Sequence, residues 1–180
     1  MKVPYTWLKE LIKTNQPIEA ISEALTISGF EVEAIEDFSK RVEGVVIGLI
    51  ESKEKHPEAD KLSVCGVRIG DSQVNQIVCG ANNVRVNTHV LVATPGAYLS
   101  SKDLKIKVSK LWGIESSGMI CSLEELGFTS ESDGIAILED MEVEIPPVGT
   151  RAQELFGLNE TVLDLAITAN RPDGMSMVGI

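Results

Sequence analysis

The hydrophobic pattern of this chain changes its period near residue 41 and changes back near residue 150, and this double switch constrains the fold most strongly. Residues 1–40 carry apolar side chains at helical spacing and then a strictly alternating run at 30–34. Residues 42–138 form short apolar runs separated by turn residues, which is typical of β-strands. We therefore predict an α+β unit that is interrupted by an all-β insert.

The domain boundaries follow from the same switch, because a stiff proline-rich linker at 146–149 ends the β texture. Beyond the linker we predict a helix at 152–156 and a strand at 162–167. We expect this strand to pair with the one at 30–34. The predicted domains are therefore a discontinuous α+β domain of residues 1–40 and 151–180, and a β domain of residues 41–150.

The β insert is predicted to contain five or more short strands. Their expected positions are 45–50, 62–69, 74–79, 89–93, 104–108 and 135–138. Gly70, Asp71 and Ser72 predict a turn between the second and the third of them. So many short strands in about 100 residues suggest a small closed barrel or a sandwich.

The overall charge is unusual for a nucleic-acid-binding protein. The chain carries 16 Lys plus Arg against 27 Asp plus Glu, a net charge of −11, whereas such domains usually show a basic footprint. Its longest apolar run, 44–50, is far too short for a membrane helix. Three scattered cysteines, Cys65, Cys79 and Cys121, predict neither a disulfide framework nor a metal site, and a cytoplasmic location fits best.

Common catalytic motifs do not occur in the sequence, and we expect no catalytic residue in it. It contains neither of the two common glycine-rich phosphate loops, no HExxH run and no nucleophile elbow. The only histidines are His56 and His89. Because His89 begins an apolar strand, we expect it to be structural.

Residues 102–110 are the only basic stretch, in which four lysines and one aspartate give a net charge of +3. Lys105 and Lys107 are expected on one face of a strand, with apolar residues on the other face. Such a row can follow a nucleic-acid backbone, or it can protect a strand edge from aggregation; the pattern favours neither. The other candidate cations for RNA phosphates are Lys61, Arg85, Lys102 and Lys110.

The sequence after the basic stretch is strongly acidic. Residues 115–144 hold nine carboxylates and no lysine or arginine, so we expect this region to lie away from bound RNA. Between the two regions lies Trp112, the only tryptophan of the β insert. It could stack on a base, although an aromatic of this kind is more often part of the core or its rim.

The run HPEADKL at 56–62 is predicted to form the loop between the first two strands of the insert. In a five-stranded oligonucleotide-binding barrel this loop borders the ligand face. Asp60 can accept local amide hydrogen bonds and shape the turn, and Lys61 can then point at a phosphate. The alternative is a solvated loop whose proline and aspartate only fix its shape.

The run SSGMICSLEELG at 116–127 is the most distinctive of the chain. It predicts a tight turn at 117–118, a buried strand and a short helix near 123–126. Ser122 and Glu125 have the spacing of a capping box for that helix. Cys121 is expected to act as a small hydrophobic residue.

Three motifs in this order resemble the tRNA-binding oligonucleotide-binding (OB) domain over about residues 41–150. They are HPEADKL at 56–62, IVCGANN at 77–83 and SSGMICSLEELG at 116–127. This domain occurs free-standing, appended to methionyl-tRNA synthetases, and inside the bacterial phenylalanyl-tRNA synthetase β subunit. The motif positions of this chain are His56, Pro57, Asp60, Lys61, Asn82, Ser117, Gly118, Met119, Cys121 and Ser122.

The flanks resemble the bacterial phenylalanyl-tRNA synthetase β subunit in particular. The similar runs are YTWLKE at 5–10, SGFEVE at 28–33 and TANRPD at 168–173, with matching positions Asn170, Arg171 and Asp173. Two positions depart from the family: Ala169 replaces its usual proline and Gly174 a frequent cysteine. The residues from Arg171 onward favour the start of a helix, and we expect the chain to be part of a longer protein.

This resemblance implies a five-stranded OB barrel within a non-catalytic part of a synthetase. The full enzyme of the family is an α2β2 heterotetramer that joins phenylalanine to its tRNA with ATP and magnesium. Its aminoacylation site lies on the α subunit, so this chain alone is expected to be inactive and to hold no cofactor. The implied partners are the phenylalanine-accepting tRNA and the α subunit, with no membrane or DNA.

The charge of the β domain keeps two alternatives open. Residues 41–150 contain 10 Lys plus Arg against 16 Asp plus Glu, a net charge of −6, although phosphate contacts need cations. The domain could therefore be a structural docking module within the synthetase. A free-standing or appended tRNA-binding module is the second alternative, which both flanks disfavour.

Overall fold

The computed structural model describes residues 1–70 and 74–180. Two residues of the predicted turn, Asp71 and Ser72, lie outside the described residues. In the part of the chain that is described, no helix is both long and apolar enough to cross a membrane.

The strands and helices are numbered in chain order. The strands are β1 (Lys2–Pro4), β2 (Glu31–Asp37), β3 (Val45–Lys55), β4 (Ser63–Arg68), β5 (Val74–Cys79), β6 (His89–Ala93), β7 (Tyr98–Leu99), β8 (Leu104–Lys105), β9 (Ser109–Leu111), β10 (Ile114–Ser116), β11 (Met119–Ile120) and β12 (Thr161–Ala166). The helices are α1 (Tyr5–Leu11), α2 (Ile18–Ile27) and α3 (Ala152–Leu155), and 3-10 turns occupy Phe38–Val42, Leu138–Asp140 and Pro172–Met175.

The chain divides into two compact units, residues 1–40 with 158–180 and residues 41–157. The boundary at Gly157 lies after the one expected at 150. Helix α3 thus belongs to the second unit, where Arg151 forms a backbone bridge to strand β3.

The first unit is a three-stranded antiparallel sheet with two helices. Its strand order is β1-β12-β2, and the expected pairing of the strands near 30–34 and 162–167 is confirmed by the register of Leu163 opposite Ile35. The apolar stripes of the helices close the core, in which Leu8, Leu25 and Phe30 are buried. The sheet therefore joins segments from the two ends of the chain.

Two of the motif positions near residue 170, Arg171 and Asp173, form a cluster of contacts inside this first unit. The Arg171 guanidinium lies 4.0 Å from the centre of the Phe30 ring and donates hydrogen bonds to the Ser28 carbonyl and to Asp173. A Cβ at Gly174 would overlap the Phe30 ring, which explains the glycine there. Where the sequence predicted the start of a helix, residues Pro172–Met175 adopt a single 3-10 turn.

The second unit is a nearly closed five-stranded antiparallel barrel, the OB fold. The strand order is β11-β6-β3-β4-β5, and its interior is filled by side chains such as Ile50, Val67 and Val92. The barrel closes beside β5, where the Ser117 amide donates to the Gln76 carbonyl at 2.9 Å. The sequence did not decide between a closed barrel and a sandwich, and this closing contact identifies the unit as a barrel.

The predicted strand at 104–108 is wrong in its extent. Strand β8 contains two residues, and after it the Ile106 amide donates to the Ala97 carbonyl at 2.8 Å and its side chain is buried. Leu104 and Val108 are 43% and 52% exposed. The expected apolar face therefore does not form, because only one of its three residues reaches the core.

Two further elements of the insert are shorter than predicted. In residues 135–138 the strand is reduced to a single bridge between Ile137 and Val90. The helix expected near 123–126 is reduced to hydrogen-bonded turns, and Gly127 at their end takes a left-handed φ of 74°.

Candidate nucleic-acid interface

Three of the predicted lysines lie at a groove of about 710 Å³. Two segments supply most of its lining: residues 102–111, called the basic wall below, and residues 116–125, called the motif wall. The basic wall contributes Lys102, Lys105 and Lys107, and the motif wall contributes Gly118, Met119 and Ser122. The basic wall belongs to the connection between the last two barrel strands, which in OB folds borders bound oligonucleotides.

The candidate cations differ in whether a carboxylate already neutralises them. Lys102 lies 2.6 Å from Glu124, and Arg85 lies 2.5 Å from Asp140. The hydrogen bond with Glu124 raises the pKa of Lys102, and the same bond lowers the pKa of Glu124. Both carboxylates come from the acidic stretch 115–144, so this stretch neutralises two of the predicted cations.

The other four candidate cations are free of ion pairs with any described residue. These are Lys61, Lys105, Lys107 and Lys110, and all four are exposed. Two of them, Lys105 and Lys107, line the groove. Unpaired ammonium groups are what phosphate neutralisation requires.

A second depression, of about 340 Å³, brings together motif positions from two loops. Asp60, Lys61 and Asn82 line it, and Ala81 lines both this depression and the groove, so the two are adjacent. Among the described contacts, Asp60 pairs with Lys55 at 2.6 Å instead of accepting the backbone amides predicted for it. Lys61 is therefore near the groove but outside its lining.

The motif wall is held to the barrel by a residue that sequence reasoning missed. The Ser116 side chain is buried, accepts from the Val78 amide at 3.0 Å and donates to the Gly118 carbonyl at 3.0 Å. Gly118 has a φ of 128°, and a Cβ there would lie 2.8 Å from the Ala93 carbonyl oxygen. The sequence signal for Ser116 was the serine pair itself, of which only Ser117 was singled out.

The predicted capping box forms next to the turn. The Ser122 amide donates to the Glu125 carboxylate at 2.7 Å, and the Glu125 amide donates to the Ser122 hydroxyl at 3.1 Å. Cys121 beside it is fully buried, and burial raises the pKa of its thiol to about 12. This thiol is protonated at neutral pH and thus unreactive.

Asn83, rather than the motif residue Asn82, holds Ile135, which lines the groove. Its side chain donates to the Ile135 carbonyl at 2.9 Å and accepts from the Ile135 amide at 3.0 Å. The Asn82 side chain is exposed. The sequence offered no way to choose between two adjacent asparagines, because only the fold decides which one faces Ile135.

The buried motif residue His56 connects the 56–62 loop to the β9–β10 hairpin. Its side chain is 2% exposed, and its Nδ1 accepts from the Glu58 amide at 3.2 Å. Its Nε2–H therefore donates to the Leu111 carbonyl, 3.2 Å away. Pro57 is exposed and makes the loop turn beside this contact.

Trp112 occupies the tip of that hairpin. Leu111 pairs with Ile114, so Trp112 and Gly113 form a two-residue turn with φ values of 49° and 83°. Both are positive, as in a type I′ turn, and this conformation costs a bulky residue about 1–2 kcal/mol. The Trp112 side chain is 68% exposed. It is therefore not a core aromatic, and burial does not offset the strain.

His89 and Glu139 contact each other and contribute to the fold of the barrel. Glu139 accepts from the His89 amide at 2.9 Å and lies 2.7 Å from its Nδ1. Burial alone would raise the pKa of Glu139, but the hydrogen bonds from His89 outweigh it and lower the pKa. Within residues 1–70 and 74–180, no group of three His, Cys, Asp or Glu side chains is arranged to hold a metal ion.

A family model decides the relationship that the barrel and its motifs suggested. The family described as "Putative tRNA binding domain" matches residues 45–146. The chain belongs to this tRNA-binding domain family. Among solved structures, it is similar to a MetRS related protein from Pyrococcus horikoshii, with a TM-score of 0.42 and 21% identity, over 60% of this chain and 87% of that chain.

Curated relatives extend the similarity beyond the barrel. The chain is 57% identical to the phenylalanine–tRNA ligase β subunit of Prochlorococcus marinus and 58% identical to that of a Synechococcus species. Each match spans all 180 residues of the chain and 22% of the relative. The chain thus spans about a fifth of the length of these relatives, and both of its compact units are included in the similarity.

Proposed function

We propose that the second unit binds tRNA through the groove, using Lys105 and Lys107 as its main phosphate contacts. The observation that carries this proposal is the pair of unpaired, exposed lysines on the groove of a tRNA-binding-family barrel. Lys61, Lys110 and Trp112 are proposed as additional contacts around it. Lys102 and Arg85 are minor contacts in this proposal, because carboxylates already neutralise them.

We further propose that the chain is the N-terminal, non-catalytic part of a phenylalanine–tRNA ligase β subunit. Its similarity to such β subunits over all 180 residues supports this, and so does the resemblance of its flanks. The whole enzyme would work in the cytoplasm as an α2β2 heterotetramer that attaches phenylalanine to its tRNA. ATP and Mg²⁺ would act on the α subunit, so this chain alone should give no phenylalanine-dependent pyrophosphate exchange.

A structural docking module remains the second candidate, and two observations favour it. The net charge of residues 41–150 is −6, and two of the predicted cations are bound to carboxylates. In that case Lys105 and Lys107 only protect the edge of the short β8 strand.

Salt-dependent tRNA binding by the 180-residue chain separates the two candidates. Binding through the groove predicts a shallow slope of log K against log salt, about −2 to −4. Lys105→Ala/Lys107→Ala should flatten that slope by about two units and weaken binding by on the order of tenfold at ~0.1 M salt. The matched control, Arg85→Ala/Lys102→Ala, removes the same charge but should change both quantities much less.

An unchanged affinity and slope in the Lys105→Ala/Lys107→Ala variant would support the docking module instead. Equal losses in the two double variants would also contradict the proposal, because they would indicate a general charge effect and no defined contact. The tRNA used is the phenylalanine-accepting one, with a second tRNA measured alongside to test whether the groove discriminates.

A further inference from the structure

The tip of the β9–β10 hairpin holds a residue that its backbone disfavours. Two-residue type I′ turns favour Asn-Gly, because both central residues have positive φ. This turn has Trp112 and Gly113 instead, with Trp112 at φ 49°. Because Trp112 is also largely exposed, neither the turn nor the core accounts for it. A strained residue that the fold does not need is a reason to look for a bound partner.

The surroundings of the hairpin indicate which partner fits. Lys110 lies on strand β9, and Lys105 and Lys107 precede it on the basic wall; none of them is ion-paired with a described residue. An exposed aromatic ring that follows unpaired ammonium groups on the same connection fits single-stranded nucleic-acid binding, in which bases stack on the ring and phosphates contact the cations. A base inside a duplex offers no free face to the ring.

His56 is placed to hold this hairpin in position. Its Nε2–H donates to the carbonyl of Leu111, the residue immediately before Trp112. The other ring nitrogen is fixed by the Glu58 amide, so the imidazole cannot turn away without losing both hydrogen bonds. The loop at 56–62 and the hairpin are thereby joined at the base of the turn.

From these contacts we infer that Trp112 stacks on an unpaired base of the RNA, and that His56 is the positioning residue that orients the hairpin for it. This inference rests on the proposed tRNA binding, and it specifies the partner as a loop or end nucleotide of the RNA. The motif histidine thus acts on the ligand through Leu111 and does not contact the ligand itself.

Trp112→Asn tests the stacking, because it should change stability and binding in opposite directions. Asparagine favours the left-handed turn, so the urea midpoint of the chain should rise. Affinity for oligouridylate, an unstructured probe, should fall about tenfold, while binding of an oligoadenylate–oligouridylate duplex of equal length should hardly change. Val108→Asn replaces an exposed apolar residue of the neighbouring basic wall; it is the matched control and should lose little affinity.

Tryptophan fluorescence gives a direct signature of the contact. The chain contains two tryptophans, so the Trp7→Phe variant reports on Trp112 alone. Oligouridylate should quench this fluorescence, and the duplex should not.

Two substitutions of His56 separate positioning from folding. Glutamine places its amide near Nε2 and can still donate to Leu111, whereas asparagine places its amide near Nδ1 and cannot. We expect His56→Gln to retain the oligouridylate affinity and His56→Asn to lose severalfold, with the salt slope unchanged in both. Equal affinities for the two variants would overturn the positioning role.

The stacking inference fails if Trp112→Asn binds oligouridylate like wild type, or if it loses stability as well as affinity. In that event a continued effect of Lys105→Ala/Lys107→Ala on tRNA binding would leave the proposed function standing. If neither tRNA nor oligouridylate binding depends on the lysines, the proposed function and the inference fail together.

Discussion

The two walls of the groove are built in opposite ways. The basic wall, residues 102–111, is exposed at every position except Ile106, and its regular structure consists of strands of two and three residues. Every residue of the motif wall, 116–125, is buried or half-buried, and Ser116 ties it to the barrel. The most distinctive motif of the sequence therefore serves the fold, whereas the proposed ligand contacts come from the basic stretch, which carries no motif of the family.

This contrast predicts that substitutions in the two walls have separable effects. Changes in the motif wall, except at Glu124, should lower the free energy of unfolding and leave the salt slope of tRNA binding unchanged. Changes to the lysines of the basic wall should alter the salt slope and leave the free energy of unfolding nearly unchanged, because their side chains are exposed. Among the described residues, two contacts join the walls: the backbone pairing of Ser109 with Ser116, and the exposed ion pair of Lys102 with Glu124.

The largest effect is expected for Gly118→Ala in the motif wall. The left-handed φ of 128° and a Cβ 2.8 Å from the Ala93 carbonyl oxygen together should lower the free energy of unfolding by roughly 2–4 kcal/mol. Urea denaturation measures this loss. At temperatures where the variant is still folded, its salt slope should equal that of wild type.

Gly96→Ala is the matched control for this substitution. Gly96 also has a positive φ, 105°, but nothing lies within 4 Å of the Cβ that alanine would add. Backbone strain alone should therefore lower the free energy of unfolding of Gly96→Ala, by less than in Gly118→Ala. If the two variants are equally destabilised, the close approach to Ala93 is not what requires glycine in the motif.

The fold could be predicted because its signals are local and mutually consistent. The alternating run near 30–34 and the apolar run near 162–167 each carry a strand period, and one pairing satisfies both. The capping box of Ser122 and Glu125 was equally readable. The lengths of the strands could not be predicted in this way. The strand expected at 104–108 ends after Lys105, where the Ile106 side chain enters the core.

The site was less predictable because it depends on contacts between distant residues. Nothing in the sequence indicates that Glu124 would reach Lys102 or that Asp140 would reach Arg85. The acidic stretch was expected only to lie away from bound RNA, and its ion pairs with Lys102 and Arg85 divide the candidate cations into paired and free ones. The role of His56 was hidden for the same reason, since its partner Leu111 lies 55 residues away.

A smaller effect is expected at alkaline pH, and it should also distinguish the walls. Burial raises the pKa of Cys121 to about 12 and that of Cys65 to about 11. The unfolded chain therefore loses these protons first, so their contribution to stability is complete below pH ~9 and is lost as the pH rises toward 12. The titration of Cys121 alone should lower the free energy of unfolding by on the order of 1 kcal/mol between pH 8 and pH 10.

Urea midpoints at pH 8 and pH 10 measure that loss. Cys121→Ala should show a smaller decrease between the two pH values than wild type, whatever its starting stability. Lys102→Ala is the comparison from the basic wall, and it should decrease almost as much as wild type because solvent screens its exposed pair. Identical decreases in wild type and Cys121→Ala would contradict the protonated, buried thiol.

The smallest effect is expected where the two walls meet, at Glu124→Gln. This substitution releases Lys102 and adds one free cation to the groove. Affinity for tRNA should rise about threefold at low salt, and the salt slope should steepen by up to about one unit.

Two variants decide whether this gain comes from Lys102. Glu131→Gln removes the same charge from an exposed residue of the acidic stretch that has no ion-pair partner among the described residues, so it should raise affinity less and leave the slope unchanged. Glu124→Gln/Lys102→Ala should lose the gain entirely, because no cation is released. If Glu131→Gln strengthens binding as much as Glu124→Gln, tRNA responds only to the net charge of the barrel, and the distinction between free and paired lysines has no consequence for binding.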